Sequence, residues 1–510
     1  MAGRIEPPGV FLNAAAVIER QLTAFCFDCW VATGVDESAI PKNLRAVLDN
    51  VDQDKLKQFP FNLLAFTREH APELWENFMA LFAEEFSERT REHLREFIHG
   101  SGKDGEGLEM RLVRRLHELC KERQSIKSRI KSLKRFIDSQ ETKPRDEATA
   151  TELEQARQER SGMQDVLRAI NRRETLNFFT DEGLIPNYAF PEAGVLLRSV
   201  IYRRRENPKE GETAFQNEVF EYERPGAAAI SELAPNNRFY AGGRQVRIDQ
   251  IDLSLSEIET WRFCPSCSHA ETLATFDNHD ACPRCGDAMW ADIGQKGQMV
   301  RLRQVMANTS DRESRIGDDV DDREPTFYTR QMLAGFNLTD IERAWRVAGD
   351  VLPFGFEFIR KTTFREMNFG EYSAAFDASR VAGIEGLRPG FRICRFCGKV
   401  QGRKNKEQDH AFTCKTKVKE EPGNLIDCLY LYREFTSEAV RILLPVTVFA
   451  GSGRYLNSFI AAIQLGLRKK FGGRVDHLRM MAYGFEIAGS QLAGGFLPGR
   501  MAAGNPAPEH

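Results

Sequence analysis

At 510 residues, with 42% hydrophobic and 28% charged side chains, the chain has the make-up of a multidomain globular protein and not of a disordered one. A formal net charge of −3 provides no global field toward nucleic acid or membrane, so any such attraction must come from local patches. Residues 1–20 lack the pattern of a secretory leader, no stretch approaches the roughly 18 apolar residues of a membrane span, and the 11 cysteines are odd in number. The expectation is a soluble cytoplasmic protein, with no membrane partner, whose cysteines serve metal and not a disulfide framework.

In chain order, residues 1–100 open with Pro7-Pro8 and then read as helices. Val17, Ile18, Leu22, Phe25 and Cys26 fall at helical spacing, as do Leu74, Phe78, Leu81 and Phe82. Cys26 and Cys29 form a C-x-x-C with no second pair nearby, and such residues on a helix read as buried small hydrophobes. Gly100–Gly107 is a flexible break. Leu112, Leu116, Leu119, Arg123, Ile126, Ile130, Leu133 and Ile137 then alternate steps of four and three, a heptad seam with one polar member. After a polar loop, Leu153, Ala156, Arg160, Met163, Leu167 and Ile170 repeat the stepping, which predicts an antiparallel coiled-coil hairpin over 106–178. Residues 111–136 hold 10 Lys/Arg against 2 Glu, and residues 146–174 hold 7 acidic residues against 5 Arg, so the two faces are expected to neutralise each other.

From residue 180 the texture turns to β. Val195–Tyr202 and Glu218–Arg224 read as strands, Arg238–Ile248 as a hairpin around Gly242-Gly243, and Ala227–Leu233 as a short helix. Further strands are expected at Met299–Val305 and Phe354–Phe364. Gly317–Asp322 is an acidic run without the calcium-loop spacing, read as a solvated loop. The end is expected to be helical, with Ser437–Leu444 stopped by Pro445 and Tyr455–Phe471 stopped by Gly472-Gly473, before a Gly/Ala/Pro-rich tail. The fold class is therefore α+β and multidomain: a helical region (1–100), the coiled-coil hairpin (106–178), a β-rich region with a zinc ribbon (180–390), a second zinc-binding region with C-terminal helices (391–490) and a disordered tail (491–510).

Two clusters carry chemistry. Cys264-Pro-Ser-Cys267 and Cys282-Pro-Arg-Cys285-Gly286 are C-x-x-C pairs at ribbon spacing; each turn points two thiolates at one ion, and two turns complete a tetrahedron. Cys394-Arg-Phe-Cys397-Gly398 followed by His410 and Cys414 has finger-like Cys3His spacing, with Cys428 as an alternative to Cys414. His269 and His279 are spare ligands at best. With four protein ligands neither ion keeps a position for an activated water, so two structural zinc ions are expected and no catalytic residue. Residues 391–419 contain 9 Lys/Arg against 2 acidic residues, with Phe391, Phe396 and Phe412 interleaved. Arg392, Arg395, Lys399, Arg403, Lys404 and Lys406 are the candidate phosphate contacts, against the alternative of a solubilising surface.

Gly100-Ser-Gly-Lys103-Asp imitates a phosphate loop, yet Phe97 stands where Gly is required and Asp104 where Ser or Thr must reach magnesium. Asp146-Glu147-Ala148-Thr149 matches a helicase acidic box by letters alone, and serine-hydrolase, metalloprotease and deaminase signatures are absent.

Several segments resemble the C-terminal region of large bacterial superfamily 2 helicases with an MrfA-like zinc-binding domain, most nearly those of phage-defence systems such as Druantia and, more distantly, DISARM. They are Pro7-Pro-Gly-Val-Phe-Leu-Asn-Ala14, Gly183-Leu-Ile-Pro-Asn-Tyr-Ala-Phe-Pro191, Ala229-Ile-Ser-Glu-Leu-Ala-Pro235, the Cys264–Cys285 ribbon, Cys394 through Cys414, and Glu434-Phe-Thr-Ser-Glu-Ala-Val-Arg-Ile-Leu-Leu-Pro445. The resemblance implies a module that binds or guides DNA beside a 3′–5′ translocase, with separate ATPase lobes or another defence subunit as partner. It departs from the pattern in lacking those lobes, so ATP hydrolysis does not carry over. In the family the metal-binding cysteines lie close together, whereas here they form two separated clusters. A protein–protein scaffold that leaves nucleic acid untouched is the second reading, and a hydrolase hidden in the β region the third.

Overall fold

The computed structural model describes residues 15–82, 86–100, 107–142, 147–186, 194–205, 215–273, 279–316, 326–346, 355–371, 378–402, 410–412, 414–418, 423–443 and 453–472, with isolated residues beyond. Gly317–Asp322, Pro7–Ala14, most of the Gly100–Gly107 break and nearly all of the 491–510 tail lie outside the described residues. The fold is mixed α+β, and the chain divides into two compact units, residues 1–194 with 200–220, and residues 195–199 with 221–510.

The first unit is built on helices α1 (Ala15–Ala32), α2 (Leu44–Asp52), α3 (Phe61–Glu69), α4 (Ala71–Phe82), α5 (Glu88–His99), α6 (Leu108–Glu141), α7 (Glu147–Arg172) and α8 (Thr175–Asp181). The first apolar stripe lies on α1, where Ile18, Leu22 and Cys26 are buried and burial pushes the Cys26 thiol up to about 12. The second lies on α4, burying Leu74 and Phe78 but leaving Leu81 exposed. Of the heptad positions, Leu112, Leu116, Leu119, Ile126, Leu133 and Ile137 on α6 and Leu153, Ala156, Met163 and Ile170 on α7 are buried, whereas Ile130, Arg160 and Leu167 are only half-buried and Val166 is buried beside Leu167. Arg129–Glu159 (2.9 Å) and Arg157–Glu141 (2.5 Å) tie the two helices together. The polar seam member turns elsewhere. Arg123, 1% exposed, donates to Asp49 (2.7 Å) and Asp52 (2.5 Å) of α2, which is how a guanidinium is accommodated among leucines.

The second unit is β-rich. Residues 195–199 of β1 (Gly194–Arg204) and the end of β2 (Phe215–Pro225) precede α9 (Gly226–Glu232), the hairpin β3 (Arg238–Ala241) and β4 (Arg244–Arg247), and the short β5 (Gln250–Ile251). Then come β6 (Ile258–Phe263), β7 (Ala270–Thr272), β8 (Lys296–Arg301) and β9 (Gln304–Ser310), a single helical turn, α10 (Asp311–Ser314), and β10 (Tyr328–Gly335), β11 (Ile341–Arg346) and β12 (Gly355–Glu371). The remainder is the hairpin β13 (Ala378–Val381) and β14 (Ile384–Leu387), β15 (Phe391–Cys394), the single turn α11 (Lys415–Val418), β16 (Leu425–Leu443) and α12 (Gly453–Phe471).

The main sheet has the order β10-β12-β16-β8-β6-β7, with β11 beside β12 and β15 beside β16. β16 pairs antiparallel with β12 and parallel with β8. Trp261, Phe263, Met299, Leu333, Met367, Phe369 and Tyr432 make its core beneath Val381 and Ala382 of the β13–β14 hairpin.

The helix expected at Ser437–Leu444 is a strand instead, the end of β16 up to Leu443. Ala439, Ile442 and Leu443 stand opposite Ile359, Phe356 and Gly355 of β12. The pairing of a 19-residue strand with its neighbour outweighs a local pattern compatible with helix, and Val440 and Ile442 are β-branched. The strand expected at Met299–Val305 is two strands, β8 and β9, broken at Leu302-Arg303. The main sheet also takes strands from both sides of residue 390, where the sequence reading places a domain boundary. Among the described residues no helix is long and apolar enough to cross a membrane.

Candidate metal centres

Both metal-type clusters begin where a strand of the main sheet ends. β6 delivers Cys264, and the turn folds back so that the Cys264 N–H donates to the His269 carbonyl (3.0 Å). β15 delivers Cys394, whose N–H donates to the Lys399 carbonyl (2.9 Å). The Cys282 turn repeats the device, donating to Asp287 O (2.9 Å). Gly286 and Gly398, at φ of 77° and 70°, return their own N–H groups to Cys282 O and Cys394 O, a closure that needs the left-handed region glycine enters freely.

The ligand atoms converge. Cys264, Cys267, Cys282 and Cys285 place their sulfurs within 4.8 Å of one another, and so do the donor atoms of Cys394, Cys397, His410 and Cys414. Cys264–Cys285 and Cys267–Cys282 are 3.5 and 3.6 Å apart, Cys394–Cys414 3.5 Å, and Cys397 Sγ–His410 Nδ1 3.7 Å. These distances are far from the ~2.05 Å of a disulfide. Thiolates about 2.3 Å from one tetrahedral zinc stand roughly 3.8 Å apart, so both sets fit a zinc ion.

The electrostatics agree. Hydrogen bonding to Cys267 and Cys282 pushes the Cys264 thiol up, while hydrogen bonds from Cys264 and Cys267 hold the Cys282 thiol well below the usual range. In the second set a hydrogen bond from Cys397 holds the Cys394 thiol low, and the same bond pushes Cys397 up. Crowded thiols compete for one negative charge, and a dication is the group that lets them ionise together.

Around the first set the fold supplies a shell that spacing does not announce. Trp290, fully buried, packs with the four cysteines, with the His269 ring 5.2 Å away. His269 Nε2 donates to the Glu271 carboxylate (2.5 Å) and is outside the ligand set, while His279 is exposed. The tip of the β13–β14 hairpin donates Ala382 N–H to Cys264 O (2.8 Å) and Gly383 N–H to Pro265 O (2.6 Å). Ser266 donates to the Asp287 carboxylate, and Arg284 donates to Ser268 Oγ (3.1 Å) and lies 5.0 Å over the Phe336 ring.

The second set is fastened to β5. Ile251 N–H donates to Gly398 O (2.9 Å), Gln250 Nε2 to Cys397 O (2.6 Å) and Val400 N–H to Asp249 O (2.9 Å). A Cβ on Gly398 would lie 2.0 Å from Ile251 O, so the approach requires glycine. Thr416, buried, holds its hydroxyl 3.5 Å from Cys394 Sγ. Cys428 lies outside the set, its thiol directed at Arg388 O (3.7 Å).

The candidate phosphate contacts separate into groups. Lys399 is only 13% exposed in its side chain and bonds Asp249 (2.5 Å), and Arg392 pairs with Asp427 (2.8 Å). Arg395 is exposed. Arg403, Lys404 and Lys406 lie outside the described residues. Two exposed neighbours join Arg395: Phe396, and Lys415 on α11, whose ammonium is 5.9 Å from the Phe396 ring centroid.

No family model and no curated protein matches this chain. Among solved structures, a crystal structure of the DUF1998 helicase MrfA bound to DNA aligns with 66% of this chain and 32% of that chain, at 8% identity and a TM-score of 0.25. A likeness at that level carries no argument about fold or function, and the chain spans about a third of that protein's length.

Proposed function

We propose that the chain is a zinc-held, DNA-associated accessory module with no catalytic motif of its own. Two zinc ions, on Cys264, Cys267, Cys282 and Cys285 and on Cys394, Cys397, His410 and Cys414, would hold the turns at the ends of β6 and β15. The observation that carries the nucleic-acid part is the surface of the second turn. Arg395 and Lys415 stand exposed there, in a stretch with 9 basic and 2 acidic residues, while Arg392 and Lys399 are already neutralised by carboxylates. Exposed cations on a turn pinned by metal neutralise phosphates without first being ordered.

Attachment to superfamily 2 helicase lobes, and a place in anti-phage defence, rest on the sequence resemblance alone. On that reading α6 and α7 form a coiled-coil hairpin that engages the partner. DNA binding measured by fluorescence anisotropy at rising salt tests the proposal. Affinity should fall steeply with salt, and Arg395→Glu with Lys415→Glu should weaken it at least tenfold with the zinc content unchanged. Binding insensitive to salt and to both reversals leaves the scaffold reading in its place.

A further inference from the structure

The turn of the second metal set displays something that metal binding does not need. Between Cys394 and Cys397 stand Arg395, exposed, and Phe396, 49% exposed, on a loop anchored at both ends by ligand cysteines. In the first set the comparable polar residues are absorbed internally, Ser266 by Asp287 and Arg284 by Ser268 and Phe336. Phe396 has no such burial. Leaving about half a phenyl ring in water costs roughly 1 kcal/mol relative to covering it.

The ring's surroundings say what would cover it. The Lys415 ammonium stands 5.9 Å from the ring centroid, Arg395 is its chain neighbour, and the segment carries 9 Lys/Arg against 2 acidic residues. An apolar protein partner would have to desolvate those cations, whereas a polyanion is drawn to them. A half-exposed ring with one cation over it and another next to it in the chain suits an unpaired nucleobase: the base stacks on the ring in place of the ammonium, and its flanking phosphates meet the cations. A duplex keeps its base faces hidden, so it offers Arg395 and Lys415 their phosphates but gives Phe396 nothing to stack on.

We infer that Phe396, flanked by Arg395 and Lys415, is a base-stacking platform for single-stranded nucleic acid. This rests on the nucleic-acid reading above and narrows it to the unpaired strand.

The test uses the full chain, checked for zinc content, with three fluorescein-labelled probes of about 15 nucleotides: oligothymidine, an abasic strand and a duplex. Phe396→Ala should weaken oligothymidine binding about tenfold and leave the abasic and duplex probes unchanged, and Phe396→Trp should keep the affinity and show emission quenched by oligothymidine. If Phe396→Ala leaves oligothymidine binding intact while Arg395→Glu with Lys415→Glu abolishes it, stacking is overturned and the phosphate reading survives. Equal weakening on all three probes also overturns stacking, because the ring would then be supporting the turn. A wild-type chain that binds none of the probes removes both readings.

Discussion

The two candidate metal sets, one of four cysteines and one of three cysteines and a histidine, are made by the same kind of turn and differ in what they do with the residues between the ligands. The Cys264 set turns inward. Trp290 packs against its sulfurs, the β13–β14 hairpin holds its carbonyls, and its polar tip residues bond to the protein itself. The Cys394 set fixes its base to β5 through Gly398 and leaves Arg395 and Phe396 to solvent. One set of four converging donor atoms is thus enclosed by the protein, and the other presents non-ligand side chains to solvent.

The largest test of that contrast is to remove each ion separately. Cys264→Ser and Cys394→Ser should each lower bound zinc from two equivalents to one by elemental analysis, with a loss on the order of 10 kcal/mol of metal-linked folding free energy at the affected turn. Only Cys394→Ser should abolish nucleic-acid binding, and loss of binding in both variants would break the division of labour. Next in size, Trp290→Ala should cost about 3–5 kcal/mol in urea unfolding. Phe396→Ala, at an exposed position, should stay within about 0.5 kcal/mol.

The glycines that close the turns sharpen the comparison further. Gly286 has nothing within 4 Å of an added Cβ, so Gly286→Ala should cost about 1 kcal/mol for its positive φ alone. Gly398→Ala meets Ile251 O as well and should cost on the order of 3 kcal/mol, read from the same denaturant curves. The pair of cations separates a structural charge from a displayed one. Lys399→Ala removes the ion pair with Asp249 and should cost about 1 kcal/mol with no change in the salt dependence of binding. Arg395→Ala should leave stability alone and reduce the salt slope by about one.

The ligand residues were legible because coordination demands a spacing that chance seldom supplies, and the long helices because a heptad seam is a local pattern. What stayed hidden was set by distant partners. Lys399 reads as a phosphate contact until Asp249, 150 residues away in sequence, is found against it. Nothing in the ribbon's spacing marks Trp290, five positions beyond Cys285, as part of its packing. Ser437–Leu444 has apolar residues compatible with either period, and only β12 decides for the strand. The seam residue Arg123 was visible as an exception, but its reason, Asp49 and Asp52 on α2, was not.

The place of β16 in the main sheet has a consequence for biosynthesis. It lies between β12 and β8, so until residues 425–443 have left the ribosome the sheet exists as two unjoined halves, β10 with β12 and β8 with β6 and β7. The Cys264–Cys285 residues emerge well before that strand, while the centre of the sheet is still open. A nascent chain halted near residue 420 would present two unsatisfied strand edges to the cell, an invitation to chaperones or to aggregation that the finished protein withdraws by inserting its last long strand.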